Sequence, residues 1–400
     1  MERFVVVARR YLFMQSSSMA FVKLFVTKRL IHGAATALLG VFVPIFLYVT
    51  TGENFYVVGT FFAVVSLAYF LVLVPAAQIM NRFGTRVSLV IAGIFNVSFY
   101  VILYFADETN IWMLLGPLSG ALLLLRLFHW VPYHVDFATF TKDGQRGKSV
   151  GLTYATIAFM GIIGPILAGY IIKNSGYDVL FAISVILLGA AAVSYAFVPK
   201  THEKFTWTYG ETLRRMWSPE YRPMVYGSFA NGLEIPITLI AWPIFLYEIL
   251  DGNVFEIGAV STLVTAITIL LQLVLGKYLD GAKSAKQKTL RVGSTLYAIG
   301  WIIKIFVLSA AQVFFVGLYH NITKVFTKTP FDTILYDMSA DQGRYVDEFT
   351  VMREMSNHLG RAVSLALIVL MTLFIPLKWT FVIGAGAALL LNVVYKAIHD

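Results

Sequence analysis

Apolar runs of roughly 20 residues, each long enough to cross a hydrocarbon layer about 30 Å thick as a helix, recur along the entire chain. No other feature restricts the fold as strongly. Inside lipid the backbone must satisfy its own hydrogen bonds, so runs of this length become helices packed side by side. Twelve spans are predicted, near 30–51, 55–79, 87–106, 111–134, 149–173, 177–198, 223–249, 254–276, 288–308, 310–333, 355–376 and 378–397. Composition agrees: 58% of the 400 residues are hydrophobic and 13% charged, whereas a soluble chain carries charge on about a quarter of its residues. The fold class expected is an all-α membrane protein.

The first 30 residues hold Arg3, Arg9, Arg10, Lys23, Lys28 and Arg29, and no small-residue cleavage site follows a compact apolar core, so no removable signal peptide is expected. With no cysteine, disulfides and thiolate ligands or nucleophiles are excluded and the redox compartment stays open.

The formal charge of +9 raises nucleic acid as a partner, but its distribution gives another account. An even number of spans puts both termini on one side. The connections there hold Arg82 and Arg86, then Lys142, Arg146 and Lys148, then 200–222, then 277–291, then Arg344 and Arg353. The opposite connections, such as TGENF and DETN, are short and acidic, with Lys173 and Lys378 as their basic residues. The positive-inside rule makes the basic side cytoplasmic, giving a multi-pass plasma-membrane protein with both termini inside. The positive charge is then a topology signal with a secondary role in binding anionic lipid, and no nucleic acid is required.

The polar segment 200–222, with Trp and Tyr among its charges, suits an interfacial linker between six-helix halves at 1–199 and 223–400. A shift of 198 residues lays Pro132 on Pro330, Asp143 on Asp341, Arg146 on Arg344 and Arg126 on Lys324. One residue more lays Ala77 on Gly276 and Asn81 on Asp280. A near-constant offset that matches the helix count points to a duplicated unit.

After span 2, AQIMNRFGTR carries Arg82, Gly84 and Arg86; after span 8, GKYLDGAK carries Gly276 and Asp280. Span 5 holds GIIGPILAG, with Gly161, Gly164, Pro165 and Gly169, and span 4 has Arg126 followed by His129. Over essentially the whole chain this resembles the major facilitator superfamily, and in motif pattern its drug:proton antiporter branch. Ala77 and Asn81 stand where the family has glycine and aspartate, and Trp130 where the branch has glycine. The resemblance implies two pseudo-symmetric six-helix bundles, alternating access and a functional monomer.

Glycine can take positive φ in the tight loop at Gly84, and Arg82 and Arg86 can lock or release helix ends. The span 5 glycines allow close approach and Pro165 a kink, whether for gating or for packing alone.

A charge at the centre of a span costs roughly 2.5–3.5 kcal/mol, so each needs a partner or a wet cavity. Arg126 lies about fifteen residues into span 4, roughly 22 Å along it, with His129 on the same face at i+3. Arg126 either lines a cavity, where it modulates the affinity of Glu234 for a proton, or serves as a structural cation. Glu234, in NGLEIP near the middle of span 7, is the candidate proton carrier, with a structural ion pair to Arg126 or Lys324 as its competing role. His320, Lys324 and Lys328 form a stripe on span 10, and Lys304 on span 9 has no evident partner.

The expected cavity therefore comprises Arg126, His129, Trp130, Glu234, Trp242, His320 and Lys324, contacted by spans 1, 4, 7 and 10. Gating is expected from Arg82, Gly84, Arg86, Asp136, Gly161, Gly164, Pro165, Gly276, Asp280, Asp332, Glu354 and Arg361. No phosphate-cradling glycine loop, nucleophile or metal-ligand cluster accompanies them, so neither an enzyme nor a bound cofactor or metal is expected. The chemistry expected is secondary transport, driven by a proton gradient: export of a small amphipathic organic solute. The alternatives are movement of an anionic solute or lysolipid-like amphiphile through a basic cavity, and a membrane sensor that moves nothing.

Overall fold

A computed structural model describes residue 33 and residues 35–140, 146–197, 205–279, 283–340 and 346–392. For 134–140, 146–158, 271–279 and 283–288, and for 333, 336, 337, 339, 340 and 346, it describes the backbone alone.

The helices are α1 Phe42–Thr50, α2 Phe55–Tyr104, α3 Ile111–Phe140, α4 Arg146–Tyr195, α5 Tyr209–Met216, α6 Arg222–Pro236, α7 Trp242–Ile249, α8 Val254–Leu279, α9 Lys283–Lys304, α10 Ala310–Ala340, α11 Val346–Thr372 and α12 Phe381–Leu390. Among the described residues, five stretches are long and apolar enough to cross a membrane on length and composition alone. Two of them, of 50 and 37 residues, exceed what one crossing needs. Each is folded back at one glycine: α2 breaks at Gly84 (φ 76°, ψ 168°) and α4 at Gly176 (φ 87°, ψ 171°). That backbone region belongs to glycine because a Cβ would clash there. Spans 2 and 3 are thus the arms of α2, and spans 5 and 6 the arms of α4. Span 7 is α6, a π-helical turn at Ile237–Ala241, and α7. The architecture is twelve transmembrane helices in two six-helix bundles.

Within the bundles α2 packs on α3 and α4, and α9 packs on α10 and α12. Between the bundles α2 packs against α11 and α4 against α8. Small residues set the approach. A Cβ on Gly169 would lie 2.6 Å from the Val254 carbonyl oxygen, and one on Gly258 would overlap the carbonyl of Pro165. Pro165 has no N–H, and next to it Thr262 of α8 enters the ladder of α4. Its hydroxyl donates to the Ile162 carbonyl (2.7 Å) and accepts from the Ile166 N–H (3.2 Å), the pair an unbroken helix would join directly.

The segment after α4 straps the bundles together. The Asn81 amide donates to the Phe205 carbonyl (2.7 Å) and accepts from the Phe205 N–H (3.0 Å), while Gln78 donates to the Trp207 carbonyl (3.1 Å). Thr206 donates from both its N–H and its hydroxyl to Glu348 at the start of α11. Thr208 then caps α5, accepting from the Glu211 N–H, and Arg215 pairs with Glu211 (2.9 Å) and covers the Trp207 ring. At the opposite face the Tyr48 hydroxyl donates to Glu248 (2.8 Å), joining α1 to α7.

Candidate functional site

Proline starts the local construction of the site. Pro236 removes one N–H from span 7, and the chain answers with the π turn, in which the Trp242 N–H reaches the Ile237 carbonyl. The Leu233 carbonyl accepts from the Ser364 hydroxyl of α11 (2.7 Å). Gly232 and Gly360 let α6 and α11 touch backbone to backbone: a Cβ on Gly232 would overlap the Asn357 carbonyl, and one on Gly360 the Phe229 carbonyl. This fixed, bulged helix presents two faces to two different environments.

One face borders a cavity of about 190 Å³ between the bundles. Its walls are Thr36, Leu39, Gly40, Val43 and Pro44 around the start of α1, Phe62, Ser66, Phe99 and Tyr100 of α2, Leu122 and Arg126 of α3, Ile235, Pro236, Leu239 and Ile240 of span 7, and Arg361 and Leu365 of α11. Two guanidinium groups therefore meet in a chamber whose other walls are apolar side chains, small residues and hydroxyls. Among the described residues no carboxylate lines it.

The other face carries Glu234, 1% exposed. Its carboxylate accepts from the Tyr297 hydroxyl (2.6 Å) and from Thr238, and is paired with Lys324 (3.5 Å) and Lys328 (3.3 Å) of α10. Lys328 also reaches Asn231. The two lysines line a second cavity of about 310 Å³ with Thr265 and Thr268 of α8 and Asn321 of α10. His320, one turn back, faces the Tyr297 and Trp301 rings at 4.6 and 4.4 Å, and neither ring nitrogen has a partner among the described residues. Lys304 is buried between the faces of Trp242 (3.9 Å) and Trp301 (4.3 Å), a cation–π sandwich that supplies the partner its sequence context did not show.

The expected cavity residues are thus divided. Arg126 lines the central chamber, Glu234, Lys324 and His320 belong to the second cluster, and Trp242 holds Lys304. His129 lies at 3.4 Å from the Tyr195 hydroxyl and stacks on Tyr133, and Trp130 is 37% exposed; neither lines the chamber. Arg126 and Glu234 face different groups: Arg126 is in electrostatic range of Arg361, Tyr69 and Tyr100, Glu234 of the two lysines. Sequence had paired helices 1, 4, 7 and 10 around the solute. Here the second-half wall is span 7 with α11, and α10 stands on the other face of span 7.

Among the expected gating residues, Gly84 takes positive φ, Arg82 is exposed and Arg86 half-buried. Gly164 meets Ala37 of the first span, where a Cβ would lie 2.6 Å from the alanine methyl, while Gly161 has looser contact with Thr265. Asp332 is in electrostatic range of Lys328 and Arg353, and Glu354 of Arg353 and Arg361. Arg361 itself is the surprise, a chamber residue. Asp280 lies outside the described residues, as do the side chain of Asp136 and the surroundings of Gly276. Tyr297 and Thr238 were missed as site residues, and Arg361 was expected at a gate rather than in the chamber. The i+4 step from Glu234 to Thr238 was the one signal available for them, because Tyr297 and Arg361 come from spans far away in sequence.

The fold is a twelve-helix, two-bundle membrane architecture with a chamber between its halves. The chain belongs to the Major Facilitator Superfamily, whose family model matches residues 29–233. It is 25% identical over 286 residues to the uncharacterized protein YqgE of Bacillus subtilis (strain 168), a match that covers 68% of this chain and 64% of that protein's length. In fold it is similar to a POT family transporter solved in complex with 5-aminolevulinic acid, with a TM-score of 0.68 at 9% identity over 94% of this chain and 95% of that one.

Proposed function

We propose that the chain is a secondary transporter that carries a small amphipathic organic solute through the central chamber by alternating access, outward and in exchange for protons. One observation carries this reading: the chamber is walled by helices of both bundles and its apolar lining surrounds a charged group, Arg126. A solute bound there would be released to either face as the α2–α11 and α4–α8 seams open in turn. Outward direction rests on the glycine–proline pattern of span 5. The charge asymmetry of the connections supports a plasma-membrane protein with the strap and both termini on the cytoplasmic side, and the unit that works is one chain.

Glu234 is the group assigned to the proton. It sits on the bulged helix that also walls the chamber, and its lysine partners stand on a different helix. Protonating the carboxylate would remove the attraction that holds α10 to span 7, and a proton is thereby linked to helix position. Modulation of that proton, first attributed to Arg126, falls to Lys324 and Lys328, which touch the carboxylate.

Purified protein in proteoliposomes, loaded with a pH-sensitive dye and offered lipophilic cations, organic anions and lysolipids, tests this. Solute-dependent proton movement is expected in the native protein and its loss in Glu234→Gln, which keeps a hydrogen-bond acceptor for Tyr297 but drops the charge. Undiminished coupling in that variant rejects Glu234 as the carrier.

A further inference from the structure

Arg126 and Arg361 come from opposite bundles and meet at one chamber. Among the described residues Arg126 forms no hydrogen bond or ion pair, and the Arg361 Nε has no hydrogen-bond partner. Arginine stays protonated in proteins, so the pair does not relieve its repulsion by losing a proton. The groups facing it are Tyr69 and Tyr100 beside Arg126, and His358, stacked on Tyr69 at 3.8 Å. Glu354, seven residues before Arg361, is the carboxylate in electrostatic range of Arg361, and it also answers to Arg353. Arg126 has Arg361, Tyr69 and Tyr100 and no carboxylate in electrostatic range among the described residues, so positive charge is left over in a setting where an uncompensated ion is expensive.

The shape of the chamber completes the description of what would compensate it. Phe62, Phe99, Leu122 and Leu239 supply apolar wall, and about 190 Å³ is somewhat more than the roughly 150 Å³ cavity known to hold a benzene ring. Guanidinium forks match the paired oxygens of a carboxylate or phosphate.

We propose that the solute recognised in this chamber is an organic anion, its carboxylate or phosphate head held between Arg126 and Arg361 and its ring-sized apolar body against the phenylalanine and leucine wall. This rests on the reading of the chamber as the solute site. It also assigns Arg361 to binding, and it makes one ligand contact both bundles, so that the head group itself holds them together at this level.

The full chain in phosphatidylcholine nanodiscs, titrated with 4-phenylbutyrate and with its matched amine and alcohol, tests the proposal by calorimetry. The acid is expected to bind at least about tenfold more tightly than either analogue, and Arg126→Gln or Arg361→Gln to weaken it by about tenfold to a hundredfold each. Lys173→Gln, at an exposed position outside the chamber, should leave acid binding unchanged. Phosphatidylglycerol added to the nanodiscs separates the two sources of anion: competition with the acid identifies a lipid phosphate as the occupant, and its absence a soluble anion. Equal binding of amine or alcohol by the native protein overturns the proposal without any variant, as does acid binding that survives both arginine substitutions. Anion binding without flux in proteoliposomes would sink the transport reading and leave the anion site standing. Coupled flux of a cation that is indifferent to both arginines would do the reverse.

Discussion

Replacing Gly232 or Gly360 with alanine should loosen span 7 from α11, and the structure sets the size of the effect. The new methyl of Gly360→Ala would sit 3.0 Å from the Gly232 Cα, and that of Gly232→Ala 2.9 Å from the Asn357 carbonyl carbon. Ordinary carbon contacts lie at about 3.5–4.0 Å, so the helices must separate by roughly 1 Å. Because the obstructing atoms are backbone, no side-chain rotation relieves them. Overpacking of this kind costs about 1–3 kcal/mol. Separation also stretches the Ser364–Leu233 (2.7 Å) and Ser356–Val225 (2.6 Å) hydrogen bonds, worth about 0.6 kcal/mol each between membrane helices. Alanine's better helix propensity returns about 1 kcal/mol. The net loss is therefore about 1–3 kcal/mol, and the freed Leu233 carbonyl should disturb the π turn that positions Glu234. Equilibrium unfolding in mixed micelles, followed by tryptophan fluorescence, measures it. Gly116→Ala, Gly120→Ala and Gly189→Ala are the controls, since a methyl there meets nothing within 4 Å. If the seam variants unfold with the controls, the backbone-contact argument is wrong.

Two further substitutions probe the devices that join the bundles. Asn81→Asp, which restores the residue the family usually has there, removes the donor to the Phe205 carbonyl and sets a carboxylate oxygen against it. A loss of about 1–3 kcal/mol is expected, with faster proteolysis at the strap; a stabilised variant would show that the strap does not depend on the amide. Thr262→Val leaves the Ile162 carbonyl and Ile166 N–H without their shared hydroxyl. It should cost about 1–2 kcal/mol in the same unfolding assay, and a neutral result would mean that α4 closes its own ladder once the hydroxyl is gone.

The membrane class and the span order were legible because burying a backbone in lipid leaves one regular solution per apolar run. The reversal between spans 5 and 6 was legible at residues 174–176, but not that Gly176 alone would make it inside a continuous helix. Gly84 was easier to read, lying among arginines at the end of a span. At the site, Arg126, Glu234 and Lys324 were visible because each is a charge where charge is costly. Their grouping was not. Spacing along a helix tells which face residues share, but not which neighbour that face meets, so His129 and Trp130 were placed beside Arg126 when they lie against Tyr195 and at the surface. Arg361 was assigned to a gate with Glu354, which lies seven residues before it on the same helix, so the wall it meets on other helices was not visible.

By itself, the amino-acid sequence determined that this chain is a twelve-span helical membrane protein with a basic face, and that a few ionisable groups lie inside the bilayer. Hydropathy and charge are local properties, and lipid reads them one helix at a time. Tertiary structure alone decided that Glu234 pairs with two lysines while Arg126 meets a second arginine. The bulge at Pro236 and the Gly232–Gly360 contact turn adjacent residues of one helix toward different helices. Contacts between elements more than a hundred residues apart depend on packing angles that no single span encodes.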